Sequence, residues 1–359
     1  MSRLEVIVNQ QVGVTAVEAG AAPDLFVRLV SRERTRGGRN AYLGYVFAIL
    51  AAVISGVSVY VNSLGVKAFS DPVLYTALKD GVVGVILFIP LAISPGWRGE
   101  YRRLSPRTWA WMIALALTGG SIPFALFFSG LKLTTAATGA VLNHFQFVLV
   151  AILAVIFLKE RIRPALWAGF AVLLVGTLLG TNLGALKWNE GSLLIGASTA
   201  LFAIDFVIAK HLLRGLSTLM VMTARMSLGT AILFVYLGAI GHLGQVSHLT
   251  TPQVQFVLVT GLILLAFVIC TFTAIKHASV SVVLAIGAAS PIITTLIQAG
   301  ATGKVRLGPA DTIGLLLLGL SVAAILVIGI RQENKQQDSK QQDSKQQDAK
   351  RTPSPSLPA

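Results

Sequence analysis

One cysteine, Cys270, stands in 359 residues, so no intramolecular disulfide can form and no thiol pair can hold a metal. Charge is scarce too. Asp, Glu, Lys and Arg make up only 12% of the chain, too little to clothe a soluble domain of this length in polar surface. The chain holds no GxxxxGK[ST] loop, no HExxH and no GxSxG, and its five histidines are dispersed. A phosphate cradle, a zinc-bearing helix and a nucleophile elbow are thereby missing, which speaks against an ATP-driven pump and against the common hydrolases. The expectation is a protein that is not an enzyme and carries no cofactor or metal. Residues 1–40 do not follow the basic start, apolar core and small-residue cleavage site of a secretory signal.

Apolar length fills the space instead. Ten stretches of about 20 residues each, enough to cross the ~30 Å hydrocarbon core as helices, run from Tyr42 to Ile330. In the first half they are 42–62, 73–94, 109–130, 136–157 and 164–182; in the second, 191–210, 217–240, 253–275, 279–300 and 310–330. Lipid offers the backbone no hydrogen bonds, so such segments must be helical. The expected fold is an all-α integral membrane protein. Its ten transmembrane helices form two inverted five-helix repeats, because an odd number of spans per copy turns the second copy upside down. The organisation read from the chain is a basic cytoplasmic tail (1–41), a first repeat (42–182), a second repeat (183–330) and a disordered tail (331–359). The last contains KQQDS, KQQDS and KQQDA in succession and has nothing apolar to bury.

The formal charge of +14 would point to nucleic acid in a soluble protein, but its placement points to a bilayer. Of 29 Lys and Arg residues, only Lys79 and Arg225 lie well inside an expected span. Loops that share the N-terminal side carry ten cations: Arg98, Arg102, Arg103, Arg107, Lys159, Arg161, Arg163, Lys210, Arg214 and Lys276. The opposite loops carry five: Lys67, Lys132, Lys187, Lys304 and Arg306. The N-terminal tail adds Arg3 and five arginines between Arg28 and Arg39. The positive-inside rule then places both termini in the cytoplasm of a plasma (inner) membrane. All five tryptophans fall at or near span ends, as interfacial aromatics do. The expected partners are the bilayer and a small-molecule substrate, with no nucleic acid, in a monomer or homodimer.

The two halves match in order and spacing. Lys79–Phe88 (KDGVVGVILF) aligns with Arg225–Phe234 (RMSLGTAILF) at an offset of 146, and Phe128–Lys132 (FSGLK) with Phe272–Lys276 (FTAIK) at 144. Ser58 falls opposite Asp205 at 147. With Ala289-Ser290-Pro291-Ile292 in the ninth span and Leu158-Lys159-Glu160-Arg161-Ile162 after the fourth, the chain resembles the drug/metabolite transporter superfamily, specifically its EamA-type ten-helix members. The resemblance covers roughly 42–330. It implies a secondary transporter with basic residues in the second and seventh helices, the places of Lys79 and Arg225. Two departures stand out. Asn143-His144-Phe145-Gln146-Phe147 occupies the fourth span where the family usually has proline, and the ninth span ends in Gly303-Lys304 where an acid is expected.

Polar residues inside spans are costly and mark function or packing. A charged side chain facing lipid costs about 2.5–3.5 kcal/mol, so Lys79, Asp80, Asp205 and Arg225 must face the interior or one another. Asp205 and Arg225 lie at similar depth on adjacent helices and can pair; Ser58 with Lys79 is the symmetry-related candidate. Pro291, Thr294 and Gln298 share a stripe at helical spacing, as do Ser58 and Asn62 with Ser55, and Asn143 with Gln146. For these side chains, substrate contact and helix–helix bonding are both open readings. His144, Asp80 and Asp205 are the candidates for binding a coupling proton. The reading for function is export of a small metabolite, an amino acid or a related amphipathic compound, by alternating access. A facilitative carrier or exchanger of organic anions is the alternative, and a receptor or scaffold would not need a duplicated core with buried charges.

A topology test follows. Cysteines introduced singly into 95–107 and 210–216 should react only with permeant reagents in intact cells, and those in 183–190 and 241–252 with impermeant ones. Protection of the 241–252 loop would remove both the ten-span count and the inversion.

Overall fold

The computed structural model describes residues 40–65, 68–134, 136–179, 188–302 and 308–351. Among these, nine helices are long and apolar enough to cross a membrane. They are Ala41–Asn62, Pro72–Ile93, Pro106–Leu133, Val141–Leu158, Glu190–Leu213, Thr218–Ala239, Thr251–His277, Val280–Ala301 and Pro309–Gln332. The remaining expected span is the shorter apolar helix Pro164–Leu179, whose 16 residues reach ~24 Å; residues 180–182 lie outside the described ones. Spans are numbered below in chain order with Pro164–Leu179 as the fifth.

Local chemistry sets the starts. Proline at the first helical turn follows a side-chain cap at Asp71, whose carboxylate accepts from Val73 N at 2.8 Å, and at Ser105, which accepts from Thr108 N. Asn189 with Ser192, and Thr250 with Gln253, form reciprocal caps at the sixth and eighth spans. The fourth span stops at Lys159, whose φ of 56° is left-handed.

Four spans are not the uninterrupted helices that apolar length suggested. The third breaks between Gly119 and Ile122, and the seventh carries a π-turn at Ala224–Leu228. The fourth breaks at Phe145 and the ninth after Gly287. The last two breaks share one hydrogen-bond pattern. Phe145 N bonds to Leu142 O and Val148 N to Phe145 O; Ala289 N bonds to Ile286 O and Ile292 N to Ala289 O, each partner shifted by 144 residues. Pro291 contributes in the ninth span by lacking an N–H. The fourth span makes the same tightened turn with no proline.

Hydrogen bonds tie the loops of each end together. At the end carrying the basic loops, Glu160 accepts from Val280 N (3.0 Å) and Ser281 Oγ (2.8 Å), capping the ninth span. Arg214 donates to Leu158 O, Tyr101 to Met220 O, and Lys210 to the carbonyls of Ile275 and Ala278. Gln332 bonds to Arg161 O and accepts from Arg163 N, so the tenth span ends on this side as well. At the opposite end Asn189 donates to Leu133 O, Gln253 to Ala68 O, and His242 Nδ1 lies 2.6 Å from Asp71 Oδ2. The one large apolar core interleaves both halves, with Leu87, Met112, Phe147 and Phe170 packed among Phe206, Met220, Phe272 and Ile275.

Packing is uneven along two spans. In the ninth, Val280–Val283, Ala285 and Ile286 are buried, whereas no residue from Ala289 to Ala301 is. In the first span burial stops after Gly56. Both less buried segments lie toward the end opposite the basic loops. The tail differs from expectation. The helix that begins at Pro309 runs to Arg351 and takes in the KQQDS repeats expected to be disordered; residues 352–359 lie outside the described ones. Lys and Gln are good helix formers, Lys stands three residues before each Asp, and the span supplies a ready nucleus on which the polar segment can propagate.

Asp71 offers a test of the opposite end. Burial pushes its carboxyl up, but hydrogen bonds from His242, Val73 and Leu74 outweigh that and hold it below the ordinary carboxylate value. The stabilisation is therefore present above the ordinary range and is lost as pH falls through the depressed value. Asp71→Ala should cost about 1 kcal/mol at neutral pH, and the melting difference from the native protein should shrink under acid. A difference independent of pH would show that the carboxylate is not the stabilising group.

Candidate functional site

Two features stand at the centre of the bundle. The first is a cavity of about 170 Å³ between the first, fourth, sixth, eighth and ninth spans. Both helix breaks open onto it. Asn143, His144, Gln146 and Phe147 come from the fourth span, and Gly287, Ala288 and Ser290 from the ninth. Ser55, Phe206, Phe267 and Thr271 complete its working surface. Gln146 and Ser290 are the first residues of the half-helices Gln146–Leu158 and Ser290–Thr302, so two helix N-termini, the ends that carry a partial positive charge, meet the same space. Thr271 Oγ1 is buried there without a hydrogen-bond partner among the described residues. The walls combine amide, imidazole and hydroxyl groups with three phenyl rings, a chemistry suited to a small amphipathic molecule.

The second feature is the Asp205–Arg225 pair. Arg225 Nε lies 3.0 Å from Asp205 Oδ2 and 3.3 Å from Oδ1. The guanidinium also donates to Gly119 O at 2.9 Å, meets Met226 Sδ at 3.3 Å and sits 5.8 Å from the centre of the Phe272 ring. Asp205 is fully buried. Glycines make the approach possible. A Cβ on Gly119 would sit 2.0 Å from the Asp205 carboxylate, and Gly120 and Gly229 come so close that either Cβ would meet the other's Cα within 2.8 Å. The π-turn that carries Arg225 wraps this contact. Phe206 and Thr271, which line the cavity, neighbour Asp205 and Phe272 in sequence, so the pair forms part of the cavity's support.

The cavity thus gathers Asn143, His144 and Gln146 of the residues expected from sequence, and Asp205 and Arg225 form the expected pair. Others lie elsewhere. Ser58 does not pair with Lys79: its Oγ accepts from Asn62 Nδ2 at 2.8 Å, and Lys79 Nζ lies over the Tyr75 ring, 5.6 Å from its centre. Asn62 accepts from Tyr75 OH, which fastens the first span to the second. Thr294 donates to Gly56 O and Ser290 O, so it joins helices, and neither it nor Pro291 nor Gln298 lines the cavity. Asp80 is buried in the second span, apart from the cavity lining. Sequence reading passed over Phe206, Phe267, Thr271 and Gly287. The run Gly287-Ala288-Ala289-Ser290-Pro291 carries a break signal that could have found the ninth-span members; nothing in the uniformly apolar eighth span distinguishes Thr271.

The model of the EamA-like transporter family matches this chain twice, over residues 42–181 and 189–327, together more than three quarters of its length. A curated protein from Sinorhizobium sp., described as an uncharacterized transporter in the cobO 3' region, is 28% identical over 133 residues. That stretch covers 37% of this chain and 92% of the relative, about the length of one repeat. A solved crystal structure of a protein matches with a TM-score of 0.62 at 21% identity, covering 82% of this chain and 98% of the other, which bears on the fold.

Removing one partner of a buried pair leaves the other charge uncompensated. Asp205→Asn and Arg225→Gln should each cost about 3–5 kcal/mol of stability in detergent, and the double variant less than the two losses added. Gly119→Ala, which displaces the carboxylate, should resemble Asp205→Asn. Strict additivity in the cycle would mean that the two charges act separately.

Proposed function

Because the chain belongs to the EamA-like transporter family and is a membrane transporter of that kind, we propose that it is a secondary-active carrier that exports a small amphipathic metabolite by alternating access. The observation that carries this reading is the cavity lined by two helix breaks related by the internal repeat. A binding place built from both halves changes its access when the halves rock against each other. At about 170 Å³ the cavity lies below the roughly 300 Å³ at which pockets for drug-sized ligands begin, which favours a small cargo.

The cargo's chemistry follows from the lining. Two half-helix N-termini favour a carboxylate, Asn143 and Gln146 offer both donors and acceptors, and Phe147, Phe206 and Phe267 accommodate an apolar side chain. An amino acid or a close relative meets all three demands. A purely anionic cargo is less well matched, since no Lys or Arg among the described residues lines the cavity. The hydrogen bonds that Glu160 makes at the basic end and the lower burial of the first and ninth spans toward the other end fit an outward-facing conformer, with the basic end and both termini in the cytoplasm of the inner membrane.

A stabilisation screen on purified protein across amino acids, organic acids, nucleosides and cationic dyes tests this reading. Amino acids with apolar side chains should raise the melting temperature, and Gln146→Leu or Asn143→Leu should reduce that rise at least several-fold. A rise produced only by cationic dyes, or one unaffected by either substitution, would overturn the assignment.

A further inference from the structure

The reading above says where cargo binds; the inference here rests on it and concerns what drives the cycle. Asp80 lies eight residues into the second span from its start at Pro72 and is 2% exposed. Its Oδ1 is shielded from solvent and has no hydrogen-bond partner among the described residues. The charged and titratable groups that reach it are few. Lys79 and Tyr75 share its helix, but Lys79 Nζ is set over the Tyr75 ring and Tyr75 OH is engaged with Asn62. From the seventh span comes Arg225, whose Nε, Nη1 and Nη2 are committed to Asp205, Met226 and Gly119. The eighth span presents Gly261 against Lys79 O and Val82. Across the seam with the seventh span, Gly84 faces Ser227 and Gly81 faces Thr230, whose Oγ1 is also buried without a partner.

An ionised carboxylate with an oxygen sealed from both water and donors costs several kcal/mol, and a proton on that oxygen removes the charge. Asp205, the other acid buried in a described span, has both oxygens within reach of Arg225 Nε and does not present this vacancy. We propose that Asp80 Oδ1 is the binding site of the coupling proton and that the conformer described here holds it as the carboxylic acid. In the cycle, a proton from water on the outer side forms an O–H bond at Oδ1. When the seam between the second and seventh spans is wetted from the cytoplasmic side, that bond breaks and the proton leaves to water there. No electrons are exchanged.

Infrared spectroscopy of purified protein in lipid vesicles reads this directly and needs no cargo. The native protein should show a carboxylic-acid C=O band at neutral pH that Asp80→Asn abolishes and Asp80→Glu moves in frequency. Asn is neutral and of the same size as the acid, so this variant should fold. Link to the cycle is read in a Cys270→Ala background by an impermeant thiol reagent on Ser55→Cys, normalised to its rate on Ser247→Cys. Raising pH until the band bleaches should slow labelling at Ser55→Cys several-fold, and Asp80→Asn should not respond. Absence of the band, its survival in Asp80→Asn, or labelling that ignores its loss would overturn the proposal. Failure of the cargo reading would show in the ligand screen and leave the band in place.

Discussion

Hydrocarbon gives a backbone N–H or C=O nothing to bond with, and the rest of this structure follows from that constraint. It makes helix the only available form for the apolar stretches, and it sets a cost on every interruption. The interruptions are placed accordingly. Those at Phe145 and Ala289 face an interior cavity, where a cargo or water can meet the freed groups, and each recovers part of its hydrogen bonding through tightened turns. The π-turn at Ala224–Leu228 is buried against Gly84 and Gly120. Irregular backbone lies here where protein or a cavity, in place of lipid, can meet it.

The same logic governs charge. Asp205 and Arg225 are tolerated in the interior because they neutralise each other and because glycine on two neighbouring helices lets the backbones close around them. A charged pair of this kind adds little net stability over a well-packed apolar pair, yet losing either member is expensive. Its contribution is to fix the third, sixth and seventh spans in one register beneath the cavity.

Much of the architecture was legible in the sequence because bilayer thickness is a one-dimensional signal. Lys79 and Arg225 at an offset of 146 carried the duplication, and similar depth on adjacent helices carried the Asp205–Arg225 pair. What escaped was rotational. In a uniformly apolar run, periodicity does not tell which face looks inward, so Thr271 could not be told from its neighbours and Thr294 could not be assigned to packing against Gly56 in preference to the cavity. The break at Phe145 was hidden for a related reason: no proline announces it. The KQQDS helix was missed because a polar segment was judged alone, without the span that nucleates it.

The cap that Glu160 places on the ninth span has a consequence for the balance between the two halves. At the repeat's offset of 144 residues Glu160 stands opposite Lys304 in sequence, whose ammonium can accept no hydrogen bond, so the sequence does not repeat this carboxylate. Hydrogen bonds to a charged group contribute about 1.5–3 kcal/mol each, and every 1.4 kcal/mol is roughly tenfold in a population ratio. A duplicated scaffold would by symmetry rest equally on either side. The Glu160 carboxylate weights this one toward the arrangement that keeps the end of the fourth span against the start of the ninth.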